Sequence, residues 1–336
     1  MLKRYFDNMP VCLLFVLIGL LLCAAPARAA EQTSPKKKVL VVMSYHEDYP
    51  WHVETREGIE SVLGDAEISY FYMDSKNNLD GVAASGEAAF ELFQQLQPDA
   101  VIAAEDNAQS MFVVPFLKNK VKTPVIFCGV NDDASKYGYP ADNVTGIIEK
   151  KHYRESINLA QLITPQIKKI AVLYRDTPSN TANLAQLEKE KNLYKAELVA
   201  TAKVSSVEEL SAVLRSLENR ADALLVLNLS GLPDQGGSQL SSAAIINLVN
   251  HFWKKPTIGA SSWEVEEGLL CAVAKLGQEQ GAVAGQLTKQ AMAGIPVSDL
   301  PITQNRNGRR VINVSTAKSL GINLKPIALI GAALVK

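Results

Sequence analysis

The amino-acid sequence predicts an α/β protein with two doubly wound domains, each a parallel sheet flanked by helices. Three observations support this prediction. Short apolar, β-branched runs alternate with helical patterns along most of the chain. The alternation starts twice, and the second series begins just after residues 143–148. The length of 336 residues fits two domains of about 100–200 residues each.

Four apolar runs in the first half predict buried parallel strands, since a strand covered on both faces lacks alternating polar residues. These runs are residues 38–43, 67–73, 100–104 and 124–128. A helix between the second and third runs is predicted by apolar residues at helical spacing, namely Ala89, Leu92, Phe93 and Leu96. Pro98 ends this helical pattern.

The second half repeats the alternation. Strands are predicted at residues 169–174, 197–203, 223–227 and 257–260. Helices are predicted at residues 153–164, 179–194 and 240–253, and Ser205 with Glu208 predicts a capping box for another. The chain then continues with a helix at 279–293, a strand at 309–314 and a short helix that ends at Gly321.

The start of the chain has the three parts of a secretory signal peptide. Lys3 and Arg4 precede an apolar run, and the small residues of Ala27-Arg28-Ala29 then provide a cleavage site. We therefore expect residues 1–29 to be a signal peptide, residues 30–37 a flexible leader, and the mature protein to be secreted and periplasmic.

A membrane anchor and a lipid attachment site are the alternatives for this segment. The apolar run covers residues 11–25, which is shorter than the ~20 residues needed to span a bilayer. Cys23 follows Leu22, where a lipoprotein signal has a small residue, so lipid anchoring is disfavoured.

Composition and charge exclude several classes of protein. With 47% hydrophobic and 21% charged residues, the chain is neither disordered, collagen-like nor a multi-span membrane protein. The formal net charge of −1 excludes a strongly basic nucleic-acid binder, so we expect no nucleic-acid partner. Outside the signal peptide, Cys128 and Cys271 lie in apolar runs, which predicts buried side chains rather than reactive thiols.

Polar residues cluster directly after the predicted strands, where open parallel sheets bind their ligands. The candidate ligand-binding residues of the first half are Ser44, Tyr45, His46, Trp51, Glu105, Asp106, Asn107, Asn131 and Asp132. Those of the second half are Arg175, Ser179, Asn180, Asn228, Ser230, Ser262 and Glu264. The alternative is that loops after strands are polar only because they face water.

Individual roles follow from side-chain chemistry. Arg175 suits a ligand carboxylate, because its guanidinium can pair with one bidentately, although a surface pair with Asp176 is an equal alternative. Asp132 or Glu105 would bind an amino group, and Tyr45 or Trp51 would stack on the ligand. Hydrogen bonds would come from Asn131, Asn228 and Ser262. Trp51 has the alternative role of fixing its loop to the following helix.

Metal and enzyme signatures are lacking. His46 and His52 do not have the spacing of a His-Glu-x-x-His site, and Pro50 lies between them, so no metal is expected. The sequence has no phosphate-binding P-loop, no dinucleotide-binding glycine motif after the first strand and no Gly-x-Ser-x-Gly elbow. We therefore expect no cofactor and no enzymatic activity, and an enzyme using Glu105, Asp106 and Asp132 is a minor alternative.

From about residue 38 to the C-terminus, the sequence resembles the ABC-transporter substrate-binding proteins of the tryptophan-binding-like group. The motifs that carry the resemblance are residues 124–132, 143–146, 162–165, 169–174, Gly281, 294–296, 300–301, 313–317 and 320–322. The sequence departs from the family pattern where ligand polarity would be determined, for example in Asn131-Asp132-Asp133 where family members have Thr-Asp-Pro. The resemblance therefore implies a binding protein without naming its ligand.

The resemblance implies the type I periplasmic-binding architecture, with two Rossmann-like lobes, a ligand cleft between them and a hinge crossed three times. It places the crossings near residues 145–148, 275–277 and 297–304. The first lobe would comprise residues 38–146 plus 277–297, and the second lobe residues 147–276 plus 298–336. It also places the candidate residues given above, except Trp51, on loops that face the cleft.

The function implied is that of a solute-binding protein that delivers a small ligand to a membrane ABC permease with its ATPase. The alternative is a sensory module whose closure is detected by a receptor kinase or cyclase. The acidic Glu105-Asp106 and the basic Arg175 together suit an amino acid or a related zwitterion. We expect a monomer.

Overall fold

The computed structural model describes residues 35–75, 82–131 and 133–336. The predicted signal peptide and Asp132 lie outside these residues. Within the described ranges, no helix is both long enough and apolar enough to cross a membrane. Residues from Lys37 to Lys336 form one compact unit.

The first sheet is entirely parallel and has six strands in the order β11-β5-β4-β3-β1-β2. Its strands are β1 (Lys38–Met43), β2 (Glu67–Tyr72), β3 (Ala100–Ala104), β4 (Val125–Val130), β5 (Val144–Ile148) and β11 (Thr303–Gln304). The three central strands β1, β3 and β4 are buried apart from Lys38, which is why their sequences are continuous apolar runs.

Three helices and one irregular segment connect these strands. They are α1 (Pro50–Leu63), α2 (Val82–Leu96), α3 (Glu105–Ala108) and a π-helical segment (Gln109–Leu117), and a 3-10 turn (Ala134–Tyr137) lies between β4 and β5. Small residues let the helix at residues 277–292, described below, pack closely on α1. A Cβ at Gly281 would lie 1.9 Å from the Thr55 carbonyl oxygen, so only glycine fits there.

The second sheet has seven strands in the order β13-β12-β10-β9-β8-β6-β7, and only the β10–β12 pairing is antiparallel. Its strands are β6 (Lys169–Tyr174), β7 (Glu197–Lys203), β8 (Ala223–Val226), β9 (Thr257–Ile258), β10 (Cys271–Lys275), β12 (Gly308–Asn313) and β13 (Ala332–Val335). Its helices are α4 (Tyr153–Ile163), α5 (Pro178–Glu190), α6 (Val207–Leu217), α7 (Ser242–Phe252), α8 (Ser262–Glu266), α10 (Val314–Ser319) and α11 (Pro326–Leu329). Helix α9 (Gly277–Met292) returns to the first sheet and buries Ala284, Leu287 and Ala291 there.

The predicted α/β alternation is confirmed, with local differences. Helix α5 ends at Glu190 and is followed by a 3-10 turn, whereas one helix to residue 194 was expected. The predicted capping box at Ser205 is wrong, because α6 begins at Val207 and the Ser205 amide instead donates to the Glu209 carboxylate. Strand β9 is shorter than predicted, since the Ala260 amide binds the Glu264 carboxylate and not a neighbouring strand.

The chain crosses between the two sheets three times, as the family resemblance implies. The number is as expected, but the first and third crossings lie at residues 149–152 and 305–307 and not at 145–148 and 297–304, because β5 and β11 belong to the first sheet. The second crossing is Leu276, since β10 lies in the second sheet and the helix at 277–292 packs on the first. The first sheet therefore extends to Ile148 and also includes residues 303–304.

Polar contacts tie the three crossings together. The Asn305 side chain accepts from the Lys150 amide at 2.7 Å and donates to the Lys150 carbonyl at 3.1 Å. The Glu279 carboxylate accepts from the amides of Arg306 and Asn307, and the buried Glu149 pairs with Lys275. The hinge is thus a hydrogen-bonded unit of three chain segments.

At the amino end of each sheet, an aspartate side chain binds backbone amide groups at the start of a strand. In the first, the Asp99 carboxylate accepts from the Lys38 amide at 2.8 Å and pairs with the Lys37 ammonium at 2.7 Å. In the second, the Asp222 carboxylate accepts from the amides of Lys168 and Lys169, both at 2.9 Å. These backbone and lysine contacts lower the pKa of both aspartates.

Candidate functional site

The strand order places one switch point in each sheet. Order β2-β1-β3 in the first sheet means that the connections after β1 and β3 leave on opposite sides, and order β7-β6-β8 does the same in the second. A crevice opens at the carboxyl ends of such strands, where ligands of this fold class bind. We call the loops after β1, β3 and β4 the first strand-end site, and the loops after β6, β8 and β9 the second.

In the first strand-end site, Ser44 connects the ends of β1 and β3. Its hydroxyl donates to the Ala104 carbonyl at 2.7 Å and accepts from the Ala108 amide at 2.9 Å. Its amide donates to the Glu105 carboxylate at 3.2 Å. Ser44 is fully buried, so its role here is to hold two loops together.

Glu105 and His52 form a buried pair beneath this crevice. His52 Nε2 lies 2.9 Å from Glu105 Oε2, and their side chains are 0% and 2% exposed. His52 Nδ1 lies 3.1 Å from the His46 carbonyl, which can only accept, so Nδ1 donates to it. The Nε2–Oε2 contact then needs one more proton, on the imidazole or on the carboxyl group. In either arrangement the pair is neutral overall.

The backbone of Glu105 is also unusual. Its φ of +64° lies in the left-handed region, which non-glycine residues adopt at a cost. Glu105 Oε1 is buried and has no hydrogen-bond partner among the described residues. Gly129 leaves the space for this carboxylate, because a Cβ there would lie 3.2 Å from Oε1. Glu105 thus lies under the crevice, although the sequence suggested it as a ligand contact.

An aromatic cluster covers the Glu105–His52 pair. The Tyr45 and His52 rings stack with centroids 5.3 Å apart, and Tyr49 meets Tyr45 edge to face at 5.0 Å. Burial, followed by the nearby Glu105 carboxylate, raises the pKa of Tyr45. Tyr45, His46 and Tyr49 are all partly exposed, so their rings form an accessible surface of the site.

The remaining predicted residues of the first half lie beside this cluster. Asp106 accepts from the Tyr137 hydroxyl at 2.7 Å and from the Asn131 amide at 3.2 Å. The Asn107 side chain donates to the Ser75 hydroxyl at 2.8 Å. Asp106 and Asn107 are partly exposed and Asn131 is exposed. These contacts bring the ends of β3 and β4 together.

Trp51 lies beside the second crossing of the hinge. The Lys275 ammonium lies over its indole ring, 4.5 Å from the centroid, as in a cation–π contact. Of the two roles weighed for Trp51, stacking on the ligand and fixing its loop, this contact favours a third, in which the ring packs on the second crossing.

In the second strand-end site, the buried side chain of Asn180 joins two loops, as the Glu105–His52 pair does in the first. Its side-chain amide donates to the carbonyls of Arg175 and Asn228, both at 2.8 Å, and the residue is fully buried. Arg175 Nη1 donates to the Ser230 carbonyl at 2.6 Å. The ends of β6 and β8 are therefore joined by neutral amides and one guanidinium.

The other predicted residues of the second half fall into two groups. Ser179 and Asn228 are exposed, and Ser230 and Ser262 are partly exposed, so all four present polar groups at the surface. Glu264 is buried, and its Oε2 accepts from the amides of Ala260 and Ser261 at 2.6 and 2.9 Å. Glu264 therefore orders the loop after β9, and burial raises its pKa.

Sequence reasoning missed Lys151, on the first crossing. Its ammonium donates to the Ser261 hydroxyl at 3.2 Å, and its backbone carbonyl accepts from the Gln186 side chain at 2.8 Å. Desolvation lowers its pKa, while the charges of Glu264 and Tyr49 oppose that shift. The available signal was the pair Lys150-Lys151 between strand β5 and helix α4. The contact of Lys151 with Ser261, 110 residues further along the chain, cannot be predicted from spacing.

Two other predictions concern metals and thiols. Among the described residues, no three His, Cys, Asp or Glu side chains are grouped to hold a metal ion. Cys128 and Cys271 are both free and buried, as predicted, and burial raises the pKa of Cys271 to about 12.

Sequence comparison identifies related proteins. The family described as ABC transporter substrate binding protein matches residues 44–336. The tyrosine-binding protein of Clostridioides difficile (strain R20291) is 26% identical over 211 residues. That alignment spans 62% of this chain and 57% of the relative, so the match covers little more than half of the relative's length.

Two solved structures share the fold. A ligand-free, open substrate binding protein with adhesive properties from Clostridium difficile superposes with a TM-score of 0.70 at 19% identity, covering 89% of this chain and 99% of that one. An ABC domain from Streptococcus pneumoniae in complex with L-Trp gives 0.61 at 22% identity, covering 90% and 100%. These likenesses confirm the predicted type I periplasmic-binding fold. Since the family match extends over most of the sequence, the chain belongs to the ABC transporter substrate-binding protein family.

Proposed function

We propose that this protein captures an amino acid between its two lobes outside the cytoplasm and delivers it to an ABC permease with its ATPase. The observation that carries the proposal is the presence of two polar strand-end sites, one per sheet, joined by three short crossings. A ligand that touches both sites stabilises the arrangement in which they are close, so the lobes close around it. Family membership supports delivery to a permease.

Aromatic amino acids are the first ligands to test. The partly exposed rings of Tyr45 and Tyr49 offer an aromatic surface, and Asp106 beside them offers a carboxylate for an amino group. The second site offers cationic and amide groups for a carboxylate. The names of two similar proteins, a tyrosine-binding protein and a domain in complex with L-Trp, point to the same class.

Burial divides the candidate residues by role. We assign direct ligand contact to the accessible ones other than Arg175, which holds the Ser230 carbonyl, together with Asp132: Tyr45, His46, Asp106, Asn107, Asn131, Ser179, Asn228, Ser230 and Ser262. We assign support of the loops to the buried Ser44, Glu105, Asn180 and Glu264. Trp51 would act at the hinge through Lys275.

A thermal-shift and calorimetric screen tests the proposal. The purified protein is titrated with the common amino acids, and with purines and sugars as controls. A true ligand at 100 times its Kd adds about 2.7 kcal/mol to the free energy of unfolding and raises Tm by several degrees. Binding of a sugar or purine alone, or of no compound, would contradict the assignment of an amino-acid ligand. Ligand-stimulated ATP hydrolysis by the reconstituted permease then tests delivery.

A further inference from the structure

Lys151 occupies a place where the two walls of the interlobe cleft meet. It lies on the first crossing, and its ammonium donates to Ser261 of the second strand-end site at 3.2 Å. Tyr49, which belongs to the loop after β1 in the first, is near enough to oppose in part the lowering of the Lys151 pKa by burial. The Gln186 side chain donates to the Lys151 carbonyl at 2.8 Å and accepts from the Lys151 amide at 3.4 Å. These two hydrogen bonds fix the backbone from which the Lys151 side chain extends.

Within the part of the chain that the structure describes, the ammonium of Lys151 has no carboxylate in contact. No carboxylate of the described residues lies within ion-pair distance of it, and its one hydrogen bond there is to a neutral hydroxyl. Glu264, whose charge acts on Lys151 without an ion pair, already receives two backbone amides on Oε2. An ammonium has three donors, so two remain for another acceptor.

Such a charge is costly in a partly desolvated place, because the Glu264 carboxylate, which makes no ion pair with it, offsets only part of the lost hydration. The low pKa of Lys151, caused first by desolvation, agrees with this geometry. An incoming anion would remove the cost and use the two remaining donors at once. The residue is therefore arranged to stabilise a ligand and not the empty protein.

We propose that Lys151 binds the carboxylate of the ligand, an inference that rests on the proposed function and names the group by which the ligand is selected. Arg175, the cation suggested by the sequence, instead holds the Ser230 carbonyl at 2.6 Å and joins β6 to β8. The ligand class is accordingly one with a free carboxylate near an aromatic group. Decarboxylated and esterified analogues are rejected.

The test compares acids with matched amines by calorimetry. L-tyrosine is paired with tyramine and L-tryptophan with tryptamine, on the wild type and on K151M, R175M and K150M. Lys150 is the matched control, since it is the neighbouring lysine on the same crossing and its backbone, like that of Lys151, is held by a side-chain amide. Loss of a charged hydrogen bond predicts that K151M binds the acid about 10- to 100-fold more weakly. Its affinity for the amine should stay within about threefold, and K150M should resemble the wild type.

A second readout needs no ligand. If Lys151 serves the ligand, removing its charge, which Glu264 compensates only in part, should leave Tm of the free protein unchanged or raised in K151M. A fall in that Tm would mean a structural role and would overturn the inference. So would a K151M protein that still prefers acid to amine, above all if R175M loses that preference. If the wild type binds neither these acids nor these amines, the inference fails; if it also binds no other amino acid in the screen above, the proposed function fails as well.

Discussion

At the amino ends of the two sheets, an aspartate before the third strand of each lobe holds the start of the first strand. Asp99 and Asp222 do this with nearly the same backbone hydrogen bonds. At the carboxyl ends, by contrast, the lobes differ. The first is held by a buried carboxylate–imidazole pair on a strained backbone, and the second by a buried neutral amide.

The comparison separates what the fold needs from what the site needs. Both lobes must fix the starts of their strands, and one solution serves both. The carboxyl ends must present different chemistry to the two sides of one ligand. We interpret the first site as the wall for the aromatic and amino groups, and the second, with Lys151, as the wall for the carboxylate.

The largest expected effect comes from breaking the buried pair of the first site. Glu105→Ala leaves the Ser44 amide and His52 Nε2 without their partner, so we expect the free energy of unfolding to fall by about 3 kcal/mol or more. Glu105→Gln keeps the size but can satisfy only one of these two groups, so its loss should be about half. Urea unfolding at pH 7 measures both. Equal stability of Glu105→Ala and the wild type would contradict the pair's role.

A smaller effect is expected at the corresponding place in the second site. Asn180→Ala leaves the Arg175 and Asn228 carbonyls without a donor, and we expect a loss of about 2 kcal/mol. Asn180→Asp should lose at least as much, because a carboxylate would face two carbonyl oxygens. Asn183→Ala is the control, since it removes only a 3.3 Å bond to Asn180. A loss at Asn180 larger than that at Glu105 would reverse the comparison.

The smallest effects are expected at the amino ends, and they should be equal in the two lobes. Both aspartates have a pKa lowered by their contacts, so each stabilises the protein above its unfolded pKa of about 3.9 and loses that contribution as pH falls through the folded pKa. Asp99→Asn and Asp222→Asn should each cost about 0.5–1 kcal/mol at pH 7. The difference from the wild type should shrink below pH 4, as denaturation at several pH values can show. A cost that grows on acidification would contradict the sign.

The sequence predicted the regular parts of the fold because their signals are local. Strands β1, β6 and β7 were expected at the residues where they lie, since continuous apolar or β-branched runs need no distant information. Strand β5 was treated as a connection between the two halves; it contains Gly146 because a Cβ there would collide with Phe127 of the neighbouring strand. That reason depends on tertiary structure.

The sequence predicted which loops form the site better than it predicted the role of each residue in them. Glu105 follows a strand as expected, but its positive φ and the space left by Gly129 place its carboxylate under the crevice. Arg175 was chosen because its chemistry suits a carboxylate, whereas its hydrogen bond to Ser230 depends on how β6 and β8 pair. Lys151 was missed because its partners come from distant segments.

Hydrogen–deuterium exchange with and without a saturating ligand from the screen tests the central claim most directly, that one ligand contacts both strand-end sites. The account predicts slower amide exchange on both walls, at residues 44–49 and 105–108 on the first and at residues 175–180 and 228–231 on the second. Residues 150–152 on the first crossing should also be protected. Protection confined to one wall, or found only away from both, would contradict the account.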